Sequence, residues 1–131
     1  MLVVDTDVIS FLFKQDTRAD LYKPHLQGHL LLISPMTRAE LEAWALEHSW
    51  GQTRRESMRV HLRQFMLVPF HEALCVKWAE ATDGARRRGR PINSSDAWVA
   101  AVALYYGVPL VTHYKADYLG VADLKLVETS V

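Results

Sequence analysis

The chain is 131 residues long, enough to bury one core and too short for two independent ones, so a single domain over residues 1–131 is expected. Half of the residues are hydrophobic (50%) and 23% are charged, a balance that excludes a disordered tail or a fibre. Lys and Arg match Asp and Glu at 15 each, which excludes a global positive field; any nucleic-acid binding must use local patches.

Taken in chain order, the first apolar run is Leu2–Val4, and it ends on an acid, Asp5, followed by Thr6 and a second acid, Asp7. A helical pattern fits Val8–Phe13 and another fits Thr17–Leu26, interrupted at Pro24. The run Leu30–Ile33 leads into Ser34-Pro35, where a helix over Pro35–Ser49 is predicted: proline is favoured at a first helical position, and Leu41, Trp44, Ala45 and Leu46 recur at helical spacing. A helix over Thr53–Phe65 and a strand over Leu67–Phe70 come next, then a helix over Glu72–Arg87. The helix Ser94–Tyr106 is closed by Gly107 and Pro109, and strands are predicted at Leu110–Thr112 and Leu124–Val127.

Short Val-, Ile- and Leu-rich runs without polar alternation are typical of parallel strands covered on both faces by helices. With β and α segments alternating and no repeat or flexible linker, they predict an α/β sandwich with one sheet and right-handed crossovers.

In such a sheet the loops after the strands and the starts of the following helices share one edge, where open α/β proteins place their ligands. Asp5 ends the first strand, Glu40 lies in the first turns of the helix after the second, Asp96 begins the helix leading to the fourth, and Asp117 follows the fourth. All four should meet at that edge. Clustered carboxylates repel one another and are costly to desolvate, so a fold gathers them when a cation is present. Oxygen donors without cysteine suit Mg²⁺, or Mn²⁺ in its place, better than zinc. Such ions polarise a phosphoryl oxygen and activate water for in-line attack, as phosphodiester hydrolysis requires.

Each acid also has a plainer role open to it. Thr37-Arg38-Ala39-Glu40 matches a capping box, Asn93-Ser94-Ser95-Asp96 a capped first turn, and Asp117 a solvated loop residue. Asp5 is harder to dismiss: an acid directly after a buried strand, followed by Thr6 and another acid, is an uncommon way to end a core strand. The joint placement carries the argument.

These segments resemble the PIN-domain nucleases, and among them the VapC toxins of VapBC toxin–antitoxin pairs. The likeness lies in Val3-Val4-Asp5-Thr6-Asp7-Val8-Ile9, Ser34–Leu41, Asp96–Ala101 and Leu110–Tyr118, in that order. The resemblance implies a three-layer α/β/α PIN-like fold with a mainly parallel five-stranded sheet. It also implies an acidic site on Asp5, Glu40, Asp96 and Asp117, Mg²⁺-dependent endonucleolytic cleavage of RNA, a homodimer, and an antitoxin partner. Asp7 stands where the family more often has Asn or Ser, and Tyr114 where it often has Asn. Thr112 keeps a hydroxyl beside the site, a supporting role that Asp7 would share.

Arg86, Arg87, Arg88 and Arg90 precede Pro91 and Asp96. They are read either as RNA-phosphate contacts or as a solvated, dipole-favoured helix end. Arg38 and Lys115 are weaker candidates for the same contact. Trp44, Trp78 and Trp98 are assigned to packing and His113 to a loop. Cys75, the only cysteine, falls in an apolar helical stretch; without a partner it excludes a disulfide framework and a Cys-based zinc site, and it fits a reducing cytoplasm. No basic-then-apolar leader opens the chain, and no run approaches the roughly 18 apolar residues of a membrane span. Secretion and membrane insertion are therefore not expected.

Two other functions compete. Asp5-Thr6-Asp7 after a first strand resembles the acid pair of haloacid-dehalogenase-like phosphatases, although Ile9 stands where that chemistry wants Thr or Val. A non-catalytic interaction module would use the acids only as caps.

Overall fold

The computed structural model describes residues 1–129. Four strands, β1 (Leu2–Val4), β2 (Leu31–Ile33), β3 (Phe65–Leu67) and β4 (Leu110–Val111), form one sheet in the order β3-β2-β1-β4. Every pairing is parallel, with Leu2 opposite Leu31, Val3 opposite Leu110 and Leu31 opposite Phe65.

Successive side chains of a strand point to opposite faces, and here each face meets its own core. Leu2, Val4, Leu31, Ile33 and Val111 join one cluster, while Val3, Leu32 and Leu110 join the other. Helices α1 (Thr6–Lys14), α2 (Lys23–Leu26), α3 (Pro35–Glu47) and α4 (Gln52–Leu62) supply the first cluster through Val8, Ile9, Leu26, Leu41, Ala45, Met58 and Leu62. Helices α5 (Glu72–Arg87) and α6 (Ser94–Tyr106) supply the second through Leu74, Ala81 and the run Val99–Ala103. The expected α/β/α layering is thus present. The alanines of α6 let it approach both the sheet and α5, and each fully buried Val or Leu contributes roughly 1.5–3 kcal/mol. Gly107 ends α6 in the left-handed conformation (φ 66°), which a residue lacking Cβ adopts without strain.

Helices α3, α5 and α6 fall within a few residues of their sequence-predicted limits. Other elements differ. The sheet has four strands rather than five. The segment expected as a fifth makes a single bridge, Leu110 to Leu126, flanked by hydrogen bonds from Leu110 N to Lys125 O (2.8 Å) and Val127 N to Leu110 O (2.9 Å). Its partner β4 is only two residues long, so the ladder has one rung. β3 begins and ends earlier than Leu67–Phe70, because Pro69 has no N–H to give to a ladder. The predicted helix Thr17–Leu26 is a 3-10 turn, Thr17–Leu21, followed by α2, whose first turn holds Pro24 where its missing N–H costs nothing. Cys75 lies in α5, in the helical stretch expected, and is exposed.

The chain runs outward from β1 through β2 to β3 and returns to β4 on the other side of β1. The strand order therefore reverses at β1, and the crevice of an open α/β sheet opens at the carboxyl end of that strand.

Candidate active site

Asp5 occupies that point. It leaves β1 as the N-cap of α1, with Oδ1 accepting from Thr6 N at 2.8 Å, and it is 7% exposed. Its other oxygen, Oδ2, accepts from Thr112 Oγ1 at 2.8 Å and from Tyr118 Oη at 2.7 Å. Burial raises the Asp5 carboxyl above its ordinary range and the charge of Asp117 adds to this, while the bonds from Tyr118, Thr112 and Thr6 oppose it.

The other acids come to this carboxylate from separate elements. Asp96, in the first turn of α6, is fixed by the Asn93 cap: its N–H donates to Asn93 Oδ1 at 2.8 Å, and its Oδ2 accepts from Asn93 Nδ2 at 3.0 Å. Its Oδ1 lies 3.3 Å from the Tyr118 hydroxyl. Burial, then the charges of Asp5 and Asp117, push its carboxyl up to about 6. Asp117 sits in a 3-10 helix, Lys115–Tyr118, and shares with Asp96 a cavity of about 370 Å³ lined also by Arg90, Pro91, Ile92, Asn93 and Ala116.

Glu40 projects from α3, where its Oε1 accepts from Thr6 Oγ1 at 3.0 Å; the same hydroxyl lies 3.0 Å from Thr37 Oγ1. Burial raises its carboxyl, and the charge of Asp5 raises it further. It does not close a capping box. The cap of α3 is Ser34, whose Oγ accepts from Met36 N at 3.0 Å and Thr37 N at 3.3 Å, leaving Glu40 free to face the site. The Asn93 turn, by contrast, is a true cap, and its acid also meets the Tyr118 hydroxyl that donates to Asp5.

Asp7 faces β4 rather than the cavity. Its Oδ1 accepts from Val8 N at 2.7 Å, its Oδ2 accepts from His113 N at 3.1 Å, and Thr112 Oγ1 lies 3.5 Å away. Burial and the Asp5 charge raise it to about 7. His113 turns its ring away, with Nδ1 2.6 Å from Tyr22 Oη, and Tyr114 is exposed.

Tyr118 is the residue that sequence reasoning missed. It is 2% exposed, and burial, then the charges of Asp5 and Asp96, raise its phenol so that it stays a donor. The only available signal was its place directly after Asp117, at the end of the same 3-10 helix. Thr6 and Thr37 were missed likewise, as the buried polar partners of Glu40.

The four arginines separate. Arg86 and Arg87 pair with Asp83 at 2.6 and 2.8 Å, Arg88 donates to Gly120 O at 3.2 Å, and Arg90 lines the acidic cavity. Arg38 is paired with Glu42 at 3.2 Å and Lys115 with Glu128 at 3.5 Å. Trp78 stacks on Trp98 at 5.4 Å between centroids.

Among the described residues, no three acidic or histidine side chains stand ready to hold one ion between them. The donor set nonetheless fits Mg²⁺, which takes oxygen ligands and is commonly held by one or two carboxylates with waters and substrate phosphates completing its shell. Burial and mutual repulsion raise the carboxyls of Asp5, Glu40 and Asp96 together, a strain that a bound cation would relieve.

Compared with known proteins, residues 2–123 match the sequence signature described as PIN domain. The chain belongs to the PIN-domain family. Over 126 residues this PIN domain is 28% identical to Ribonuclease VapC1 of Haemophilus influenzae, covering 94% of this chain and 93% of that protein. Its fold is similar to that of VapBC2 from Rickettsia felis bound to a fragment of promoter DNA (TM-score 0.81, 17% identity, 98% of both chains). It is also similar to VapBC-1 of nontypeable Haemophilus influenzae (TM-score 0.78, 24% identity, 97% of this chain and 96% of that one).

Proposed function

We propose that this chain is a metal-dependent endoribonuclease of the VapC type, the toxin of a toxin–antitoxin pair. The observation that carries the reading is Asp5: a buried carboxylate at the reversal point of a parallel sheet, with Asp96, Asp117 and Glu40 brought near from three other elements. Similarity to Ribonuclease VapC1 along nearly the whole chain supports RNA as substrate. The VapBC structures of like fold support an antitoxin as partner. A homodimer and a cytoplasmic setting complete the reading. No helix among the described residues is long and apolar enough to cross a membrane.

In this reading Asp5 and Asp96 hold Mg²⁺, or Mn²⁺ in its place, with Asp117 and Glu40 completing the acidic shell. When bound, the ion supplies charge neutralisation at the phosphodiester and lowers the pKa of water. The chain's own task is orientation. Thr112 and Tyr118 fix the plane of the Asp5 carboxylate, Asn93 fixes Asp96, and Thr6 fixes Glu40. Asp7 anchors the loop after β4, which carries Asp117 onward. Hydrogen bonds of this kind, made to the side chains that would bind the ion, set their geometry and basicity.

Cleavage mapping on total RNA tests the reading. Discrete cuts are expected with Mg²⁺, none with EDTA, and none with Asp96→Asn. Cuts that persist in EDTA, or no cuts under any condition, would remove it.

A further inference from the structure

We propose that Arg90 is the cation that grips an RNA backbone phosphate at the acidic cavity, and that Gly120 is the positioning residue that sets it there. The inference rests on the ribonuclease reading and narrows it to one of four neighbouring arginines.

A metal site built from carboxylates alone repels the polyanion it must bind; only the ion offsets this, and a separate cation beside the acids is the usual complement for a phosphodiester. Arg90 is exposed, lines the same cavity as Asp96 and Asp117, and has no ion pair among the described residues. Its neighbours are committed elsewhere: Arg86 and Arg87 to Asp83, and Arg88 to the Gly120 carbonyl.

The backbone around Arg90 is held with unusual closeness. A Cβ placed on Gly120 would lie 2.3 Å from Arg90 O, 2.9 Å from Arg90 Cβ and 3.1 Å from Ala85 Cβ. Only glycine permits that approach, because two of the three obstacles belong to Arg90 itself and the nearest is backbone. Arg90 N donates to Ala85 O at 3.0 Å, and Arg88 Nη1 ties the same loop to Gly120 O. Gly120 follows the 3-10 helix that carries Asp117. The contact therefore joins the segment bearing Arg90 to the segment bearing an acid, both of which line the cavity.

The test is binding of a fluorescein-labelled RNA hairpin of mixed sequence, followed by anisotropy across a KCl series, with Ca²⁺ replacing Mg²⁺ so that RNA is held without being cut. Arg90→Ala should weaken binding about tenfold and lower the slope of log affinity against log salt by about one. Arg90→Lys should keep the slope, and a double Arg86→Ala, Arg87→Ala variant should keep both affinity and slope. Gly120→Ala should weaken binding with little further loss when combined with Arg90→Ala, the coupling expected if it acts through that residue. Should Gly120→Ala fail to fold, Arg88→Met, which removes the tether alone, takes its place in the cycle. Unchanged affinity and slope in Arg90→Ala, loss confined to the Arg86/Arg87 variant, additive losses at positions 120 and 90, or no RNA binding by the wild type would each overturn the proposal. If the wild type cuts RNA and Arg90→Ala binds normally, only this inference fails. If Arg90→Ala behaves as described but no RNA is ever cut, the ribonuclease reading fails instead.

Discussion

The Tyr118 hydroxyl donates to Asp5 Oδ2 at 2.7 Å while lying 3.3 Å from Asp96 Oδ1. One neutral donor thus stands between two carboxylates drawn from different ends of the chain. With Thr112 on the same oxygen and Thr6 N on the other, protein donors fill Oδ2 of Asp5 and leave acceptor capacity on Oδ1.

Removing that donor strips a hydrogen bond from a buried charged group. Tyr118→Phe is expected to cost about 1.5–3 kcal/mol in denaturant unfolding of the metal-free protein. The change of volume is small, so the loss reports the bond rather than packing.

Asp96→Asn should act in opposite directions on stability and activity. It removes a charge that burial and the neighbouring Asp5 and Asp117 disfavour, so the metal-free variant should melt at the same temperature as the wild type or higher. Cleavage should fall by at least about 100-fold, since the ion would lose a principal ligand.

Stability of the metal-free protein should decline as pH rises. Asp7 and Asp96 titrate at about 7 and about 6 in the fold against an ordinary value of 3.8. Between pH 4 and 7 the folded state therefore binds more protons than the unfolded one, and the stability present below pH 4 is lost as pH passes through the folded values. Thermal melts at pH 5 and pH 8 in EDTA check the sign. Mg²⁺ should restore stability at pH 8 and do little at pH 5, where protons compete for the same oxygens.

Thr6→Val separates the orientation of Glu40 from its charge. It deletes the hydroxyl that donates to Glu40 Oε1 and meets Thr37. RNA cleavage should drop several-fold, and Glu40→Gln in the Thr6→Val background should add less than it does alone, the mark of residues acting as one unit.

Much of this arrangement was legible in the sequence because chain position dictates spatial position in a parallel sheet. Asp5 after β1, Asp96 at the start of α6 and Asp117 after β4 had to reach one edge once the strands were found. Ser34-Pro35 and Gly107 marked helix ends through chemistry local to them. What stayed hidden depends on tertiary distance. Nothing near Thr37 reveals that Glu40 turns to Thr6 rather than to its own helix start, and nothing near Asp117 reveals that Tyr118 points inward at Asp5. The fifth strand failed for a related reason: Leu124–Val127 has the composition of a strand, but a strand needs a partner of its own length, and β4 ends after Val111. The arginines, adjacent in sequence, part company because helix α5 ends among them; Arg86 and Arg87 remain on its last turn with Asp83, while Arg90 lies beyond it.

Titration of Mn²⁺ or Mg²⁺ into the purified chain by calorimetry bears most directly on whether the gathered acids exist to hold a cation. Saturable binding to the wild type is expected, with loss in Asp5→Asn and in Asp96→Asn variants whose circular dichroism is native. An identical isotherm in those variants, or no binding by the wild type, would contradict the account.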